Sequence, residues 1–390
     1  MNNVAIVVIA YNREDSLNRI LNSLLKADYS CTSKTNGTVP LIISIDKSDN
    51  NRVSEIANEF LWPYGEKRVV LHDENLGLKK HVLECGNYVD EFENIIVLED
   101  DLYVSNNFYS YASSALNFVK DDEKIAGVSL YNHLLNVHVR EPFEAIYDGF
   151  DNYYMQFAQS WGQAYTKAQW HGFLNWMSAH EDEPVSATNV PENVSSWSDK
   201  SWLKYYIKYV IDTDKYFIYP RVSHTTNFGD EGTHATSGNS DLQVPIDFAV
   251  IDSEKKRDLF FSKLDESKAI YDAFYENTIL KDVVSGYIGD NNLSKNIGID
   301  LYGYKPEGKY KYLLSSKLLP YKVIKSFGRR LRPVDANILN SVSGNDFYLY
   351  DTSERAEKPT VNEAGRILYN YRALSVKKMI EVIKYRLLRK

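Results

Sequence analysis

The first hundred residues alternate short apolar runs with amphipathic stretches, and this rhythm constrains the fold more than any other feature. Val4–Ala10 is a continuous apolar run, as expected of a strand buried on both faces of a parallel sheet. Residues 14–27 follow with Leu17, Ile20, Leu21, Leu24 and Leu25 at helical spacing. Leu41–Ile45, 69–71 and 95–98 read as further strands, and 53–61 and 78–89 as the helices between them. A βαβαβαβ order predicts a right-handed, mostly parallel α/β sheet with helices on both faces. Ligands of such sheets bind beyond the carboxyl ends of the strands. Four strand ends therefore matter: Tyr11-Asn12-Arg13, Asp46-Lys47-Ser48, His72-Asp73-Glu74-Asn75 and Glu99-Asp100-Asp101. All four are polar and three carry carboxylates.

At 390 residues the chain exceeds the roughly 250–300 that one core usually supports, so a second, smaller part is expected. The charge divides it. From Leu301 onward there are 19 basic and 8 acidic residues; before it there are 26 and 45. An acidic body argues against nucleic acid as its partner. The stretch 252–282 reads as helical and 291–298 as a linker, which gives a body over 1–240, an extension over 241–300 and a basic region over 301–390. No run approaches the roughly 18 apolar residues of a membrane span. Cys31 and Cys85 are too few for a disulfide framework, and no leader pattern precedes the first strand, so a cytoplasmic protein is expected.

Glu99-Asp100-Asp101 closes the strand at 95–98. Three successive acids repel one another, and a divalent cation is the usual remedy. Hard oxygen ligands suit Mg²⁺ or Mn²⁺, which commonly take one or two carboxylates and leave the rest to water and phosphate. A solvated acidic turn is the plain alternative. The apolar strand before the triplet and its place at the ligand end favour metal.

Val4-Ala5-Ile6-Val7-Val8-Ile9-Ala10-Tyr11-Asn12-Arg13, Ile42-Ile43-Ser44-Ile45-Asp46 and Val97-Leu98-Glu99-Asp100-Asp101-Leu102 together resemble a GT-A fold nucleotide-sugar glycosyltransferase. The start is similar to family 2 glycosyltransferases. The acidic motif is closer to the Golgi N-acetylglucosaminyltransferase I family, as are Val128-Ser129-Leu130-Tyr131-Asn132, Ser160-Trp161-Gly162, Trp197-Ser198-Asp199 and His224-Thr225-Thr226-Asn227-Phe228-Gly229. The likeness spans about residues 4–240 and implies a catalytic domain over 1–240, with a donor half over about 1–104 and an acceptor half over about 105–240.

The resemblance implies a metal-dependent, inverting transfer from a UDP-sugar to a hydroxyl of a polysaccharide or lipid-linked oligosaccharide. Asp101 would bind the metal, Mn²⁺ or Mg²⁺. Glu99 and Asp100 would lie near ribose, metal-bound water and donor sugar. Ala10 and Tyr11 would line the nucleotide, Arg13 and Asp46 would frame the uracil and hold each other, and His81, or Lys80 beside it, would stand at its side. Asp199 matches the family's catalytic base, although the spacing to Trp202 is longer than in the family; capping the next helix is its other reading. Asp230 and Glu231 are reserves. The Gly-rich stretch 224–236, with His224, Asn227, Gly229 and His234, would close over the donor. Trp161 would serve as acceptor platform or core residue.

There is no P-loop, no Gly-x-Ser-x-Gly elbow and no zinc spacing of cysteines. The rival readings are a sugar-phosphate nucleotidyltransferase, whose Gly-rich first turn is missing, and a catalytically silent sugar-binding or nucleotide-binding scaffold. Residues 375–390 would form a basic amphipathic helix, with Val376, Met379, Ile380, Ile383 and Leu387 on one face. Such a helix either lies peripherally on an anionic membrane or packs on the body.

Overall fold

The computed structural model describes residues 4–33, 37–180, 183–186, 189–230, 241–249, 258–289, 296–306, 310–360, 366, 369–370 and 375–388. The chain forms two compact units: 1–134 with 147–275, and 135–146 with 276–390.

In the first unit β1 (Val4–Ala10), β2 (Leu41–Ile45), β3 (Lys67–Leu71) and β4 (Asn94–Glu99) alternate with α1 (Glu14–Leu25), α2 (Ser30–Ser33), α3 (Asn51–Glu59), α4 (Gly77–Gly86) and α5 (Val89–Phe92). Then come β5 (Leu102–Val104), α6 (Phe108–Val119) and β6 (Ile125–Ser129). A short hairpin, β7 (Leu135–Asn136) and β8 (Glu141–Pro142), belongs to the second unit. The first unit resumes with β9 (Asn152–Met155), β10 (Gln163–Thr166), α7 (Lys167–Ala179), α8 (Glu192–Ser195), α9 (Trp202–Asp212), β11 (Tyr216–Pro220), β12 (Thr225–Asn227) and β13 (Ile270–Tyr271).

Nine of these strands form one sheet in the order β13-β9-β11-β6-β10-β4-β1-β2-β3. β4, β1, β2 and β3 are mutually parallel, as the βα rhythm requires. β10 enters antiparallel between β4 and β6, and β11 runs parallel to β6. Two reversals restore the direction, so β6 and β11 point the same way as β1. All seven residues of β1 are buried. The apolar stripe of α1 (Leu17, Ile20, Leu21, Leu24) packs into the same core. This is an α/β architecture, with helices flanking a mostly parallel sheet.

Two expectations change. Residues 258–279 are not helical: the segment is strapped along residues 148–155. Phe260 N–H donates to Asp151 at 3.0 Å, Ser262 N–H to Asn152 Oδ1 at 2.8 Å, and Ile270–Tyr271 pair with β9. Long-range backbone pairing overrides the local helical pattern here. Residues 250–257 lie outside the described residues. The compact first unit therefore continues to Tyr275.

The basic region is also less helical than expected. β14 (Ile297–Asp300), β15 (Tyr312–Ser315), β16 (Tyr321–Phe327) and β17 (Phe347–Arg355) form a sheet in the order β14-β15-β17-β16. α10 (Leu280–Ile288) and α11 (Asp335–Leu339) contribute to its core, where Leu280, Val284, Ile297, Leu314, Ile338 and Leu349 meet. Tyr, Phe and β-branched residues suit these strands. The expected C-terminal helix is present as α12 (Val376–Leu388).

Gly162, just before β10, has φ +95°, and a Cβ there would stand 2.7 Å from Thr225 Cγ2. Gly162→Ala is expected to destabilise by about 1–3 kcal/mol, read as a lower urea midpoint at unchanged slope. Gly286 in α10 faces open space, so Gly286→Ala should leave stability equal or slightly higher.

Candidate functional site

The acidic triplet sits at the carboxyl end of β4, beside the end of β1. The chain turns at Ala10, and Arg13 stands at the first position before α1. From there its guanidinium spans two carboxylates: Nη1 donates to Asp101 Oδ2 at 2.9 Å, and Nη2 pairs with Asp100. The Tyr11 backbone N–H also donates to Asp100. Asp100 is buried, and burial pushes its carboxyl above the usual range against the pull of Arg13. Burial and then its neighbours Asp101 and Asp100 push Glu99 up to about 8, while Ser160 donates to it. Burial opposes the charge of Arg13, but Asp100 and Asp101 raise its pKa overall. The site is thus a partly desolvated carboxylate cluster that one internal cation neutralises incompletely.

β5 leaves this corner and pairs antiparallel with β12. That pairing lays 225–229 against the triplet: Asn227 Nδ2 donates to Asp101 Oδ1 at 3.1 Å and Phe228 N–H to the Asp101 carbonyl at 3.1 Å. Gly229 N–H returns to Asn227 Oδ1 at 2.6 Å. The expected donor loop therefore meets the acidic motif through Asn227. His234 lies outside the described residues.

A second group of contacts was not legible in the sequence. Arg19 on α1 lies 3.9 Å over the Phe228 ring and pairs with Asp230, which also accepts from Ser16 Oγ at 2.8 Å. Arg19 lies on α1, which Arg13 precedes, and nothing local in the sequence marks it.

Asp46 does not hold Arg13. Its carboxylate accepts from the backbone N–H groups of Lys47, Leu76 and Gly77 at 2.8–3.0 Å, and its own N–H donates to the Ala10 carbonyl. Gly77 reaches it at φ +73°, a conformation glycine adopts freely. Asp46 thereby ties the start of α4 to the ends of β1 and β2, satisfying helix N-terminal donors. Arg13 reaches Asp100 and Asp101 instead, because charge in a buried corner pairs with the nearest opposite charge.

His81 is buried, and its Nε2 is 2.8 Å from Ser44 Oγ, which His72 also meets at 3.0 Å. Burial lowers it to about 4. His224, expected at the donor, is also buried: it stacks on Tyr111 at 4.4 Å, meets Ser105 Oγ at 3.1 Å, and burial lowers it to about 4. Both rings are neutral core groups rather than cations aimed at phosphate. Ala10 is buried at the end of β1, whereas Tyr11 is exposed beside it.

Asp199 lies in the turn before α9, highly exposed, with Lys204 holding its carboxyl below the usual range. Ser201 caps α9, accepting from Lys204 N–H, so Asp199 is not that cap. A helix leading into a strand parallel to β1 begins on the carboxyl-end side of the sheet. α9 leads into β11, so Asp199 stands on the ligand side. Lys79 of α4 reaches its carbonyl at 3.4 Å. Trp161 is half-buried, with its ring 4.8 Å from Tyr131 and packed against the core.

Among the described residues no three His, Cys, Asp or Glu side chains converge as a complete ligand set. The corner nevertheless fits a divalent cation of the kind that takes one or two carboxylates, because its negative charge is desolvated and only partly offset.

Residues 5–168 match the model of Glycosyl transferase family 2. That match covers 164 of the 390 residues, and over it the chain is similar to glycosyltransferases of this family. It is 25% identical over 254 residues to an alpha-1,3-mannosyl-glycoprotein 2-beta-N-acetylglucosaminyltransferase of Arabidopsis thaliana, covering 62% of this chain and 50% of the relative. The chain thus spans about half the length of that curated relative. Among solved structures, S. aureus TarS 1-349 in complex with UDP-GlcNAc aligns at 14% identity over 60% of each chain, TM-score 0.37. The mannosyltransferase PcManGT of Pyrobaculum calidifontis, with GDP-Man and Mn²⁺, aligns at 14% over 45% of this chain and 46% of its own, TM-score 0.32.

His81 and His224 are held neutral in the fold and accept protons more readily once unfolded. Their contribution is intact above pH 6.5 and falls as pH drops from there to 4, by at most about 3 kcal/mol each. Urea titrations from pH 7.5 to 4.5 should show this decline, and His81→Asn should flatten it.

Proposed function

We propose that the protein is a metal-dependent, inverting glycosyltransferase that moves a hexosyl or N-acetylhexosaminyl group from a UDP-sugar to a hydroxyl of a polysaccharide or lipid-linked oligosaccharide. The observation that carries this reading is the carboxylate corner at the end of β4, with Arg13 and Asn227 held against it. It stands at the ligand end of a domain of glycosyltransferase type. The name of the Arabidopsis relative supports N-acetylhexosamine as the transferred group.

Asp101, with Asp100 beside it, would hold Mn²⁺ or Mg²⁺. When bound, that ion would neutralise the charge that builds on the departing diphosphate. Arg13 then orients the two carboxylates and keeps positive charge at the leaving-group side. Ala10 and Tyr11, at the end of β1, line the nucleotide, and Asp46 sets the position of α4 beside it. Asn227 fixes the 225–229 strand over Asp101, which limits water at the diphosphate. On the acceptor side Asp199 takes the hydroxyl proton as the oxygen attacks the anomeric carbon, and a single displacement inverts that centre. Lys204 holds its carboxyl below the usual range, so it is ionised at neutral pH. Trp161 stands on the acceptor side as a partly exposed platform.

The tail supports a peripheral membrane location on the cytoplasmic face. In α12 Val376, Met379, Ile380, Ile383 and Leu387 are 42–69% exposed, and Lys377, Lys378 and Lys384 share the helix. Among the described residues no helix is long and apolar enough to cross a membrane. A basic helix with a bare apolar stripe suits an anionic bilayer, where a lipid-linked acceptor would reside.

UDP with Mn²⁺ is expected to raise the melting temperature, and EDTA to remove the shift. Asp101→Asn should abolish that shift and lower transfer by at least about 100-fold, whereas Asp199→Ala should lower transfer by about 100-fold or more and leave UDP binding intact. No shift with any nucleotide would favour a silent scaffold. Vesicles containing phosphatidylserine should pull the chain down and neutral vesicles should not; Ile380→Asp with Ile383→Asp should release it.

A further inference from the structure

The second unit contains a cleft unrelated to the β4 corner. Its walls include Pro142, Tyr302, Pro333 and Tyr369, and its charged residues are Glu141, Glu144, Arg329 and Arg332. Arg329 dominates it. The side chain is only 4% exposed, yet its Nε is buried with no hydrogen-bond partner among the described residues. The nearest carboxylate oxygen, Glu141 Oε2, is 4.0 Å from Nη1, beyond hydrogen-bond reach.

The faces of this guanidinium are covered: it lies 4.4 Å from the Phe347 ring centre and 5.5 Å from that of Tyr369. Rings satisfy the faces of a guanidinium and leave its N–H edge unmet. Glu141 is already committed, since Arg366 donates to its Oε1 from Nε at 2.7 Å and from Nη2 at 2.6 Å. Asp346 accepts the backbone N–H of Arg329, and Glu144 lines the cleft. Arg332 adds a second guanidinium 5.0 Å from the Tyr369 ring centre, with one nitrogen on the Tyr369 carbonyl. Burial, and then the neighbouring Arg366, lower the pKa of Arg329 against the pull of Glu141 and Asp346.

A buried guanidinium edge without a partner is costly, and an oxyanion is the partner that fits its fork. Tyrosine and proline walls suit the C–H face of a sugar ring. We infer that this cleft binds the anionic group, carboxylate or phosphate, of an acidic saccharide, with Arg329 and Arg332 as its two donors. The saccharide half of this assignment rests on the transferase reading; the oxyanion half does not. The site would engage a charged sugar of the acceptor or product glycan.

The test is calorimetric titration of the full chain, without metal or nucleotide, with glucuronate, glucose 6-phosphate, inorganic phosphate and glucose. Binding of one or both acidic sugars, with none of glucose, is expected. Which acid binds tells carboxylate from phosphate. Arg332→Gln, at an exposed residue, should weaken binding by about tenfold or more, and Glu144→Gln should tighten it. Arg329→Gln should abolish it, with thermal melts checking the fold; if that variant unfolds, the other two decide. No binding of either acidic sugar, equal binding by Arg332→Gln and the parent, or glucose binding as well as the acids would overturn the proposal. Inorganic phosphate binding as tightly as glucose 6-phosphate would remove the saccharide. Because donor and metal are absent, failure here leaves the transfer reaction untouched, and loss of transfer would leave this site standing.

Discussion

Three carboxyl groups in a row at the end of a buried strand must be offset, and the surrounding structure is arranged around that requirement. Glu99, Asp100 and Asp101 cannot all ionise at low cost in a partly desolvated corner. The fold brings one guanidinium from the β1–α1 turn, a carboxamide from β12 and a hydroxyl from Ser160 to meet them. Each donor comes from a different stretch of chain. Moving any of these stretches would leave buried charge unmatched.

The sheet makes this convergence possible. Parallel order in β4-β1-β2-β3 puts the ends of β1, β2 and β4 side by side, so Ala10, Asp46 and Asp101 share one rim. The antiparallel β10 then lets β6 and β11 run in the common direction, so α9 also begins on that rim. Asp46 has an architectural part beyond any contact with nucleotide, because it fastens the start of α4 with three backbone donors. A carboxylate saturated in this way holds a helix in place at the edge of a binding site.

Much of the first unit was legible because its signal is periodic. Leu17, Ile20, Leu21 and Leu24 announce α1, and the apolar runs at β1, β2 and β4 announce central strands. The acidic triplet was legible because carboxylates are conspicuous after an apolar strand. The segment 258–279 was misread because its hydrophobic spacing permits a helix, and only pairing with residues 148–155 decides otherwise. His224 was misread because a histidine among Thr, Asn and Gly looks exposed, while the ring stacks on Tyr111 from a distant helix. The partner of Arg13 was misplaced for the same reason: Asp46 and Asp100 are both acids at the ends of the two strands that flank β1, and their backbone surroundings decide which one is free to take the cation.

By itself the sequence determined the strand-helix rhythm, the acidic motif after β4 and the basic, amphipathic end of the chain. These depend on local periodicity and on the order of residue types. Only the tertiary structure decided which charges pair, which histidines are desolvated and where the Nε of Arg329 is left without a hydrogen-bond partner among the described residues. Burial and hydrogen bonding depend on segments far apart in the chain, and energies of several kcal/mol per unmatched group turn on that packing.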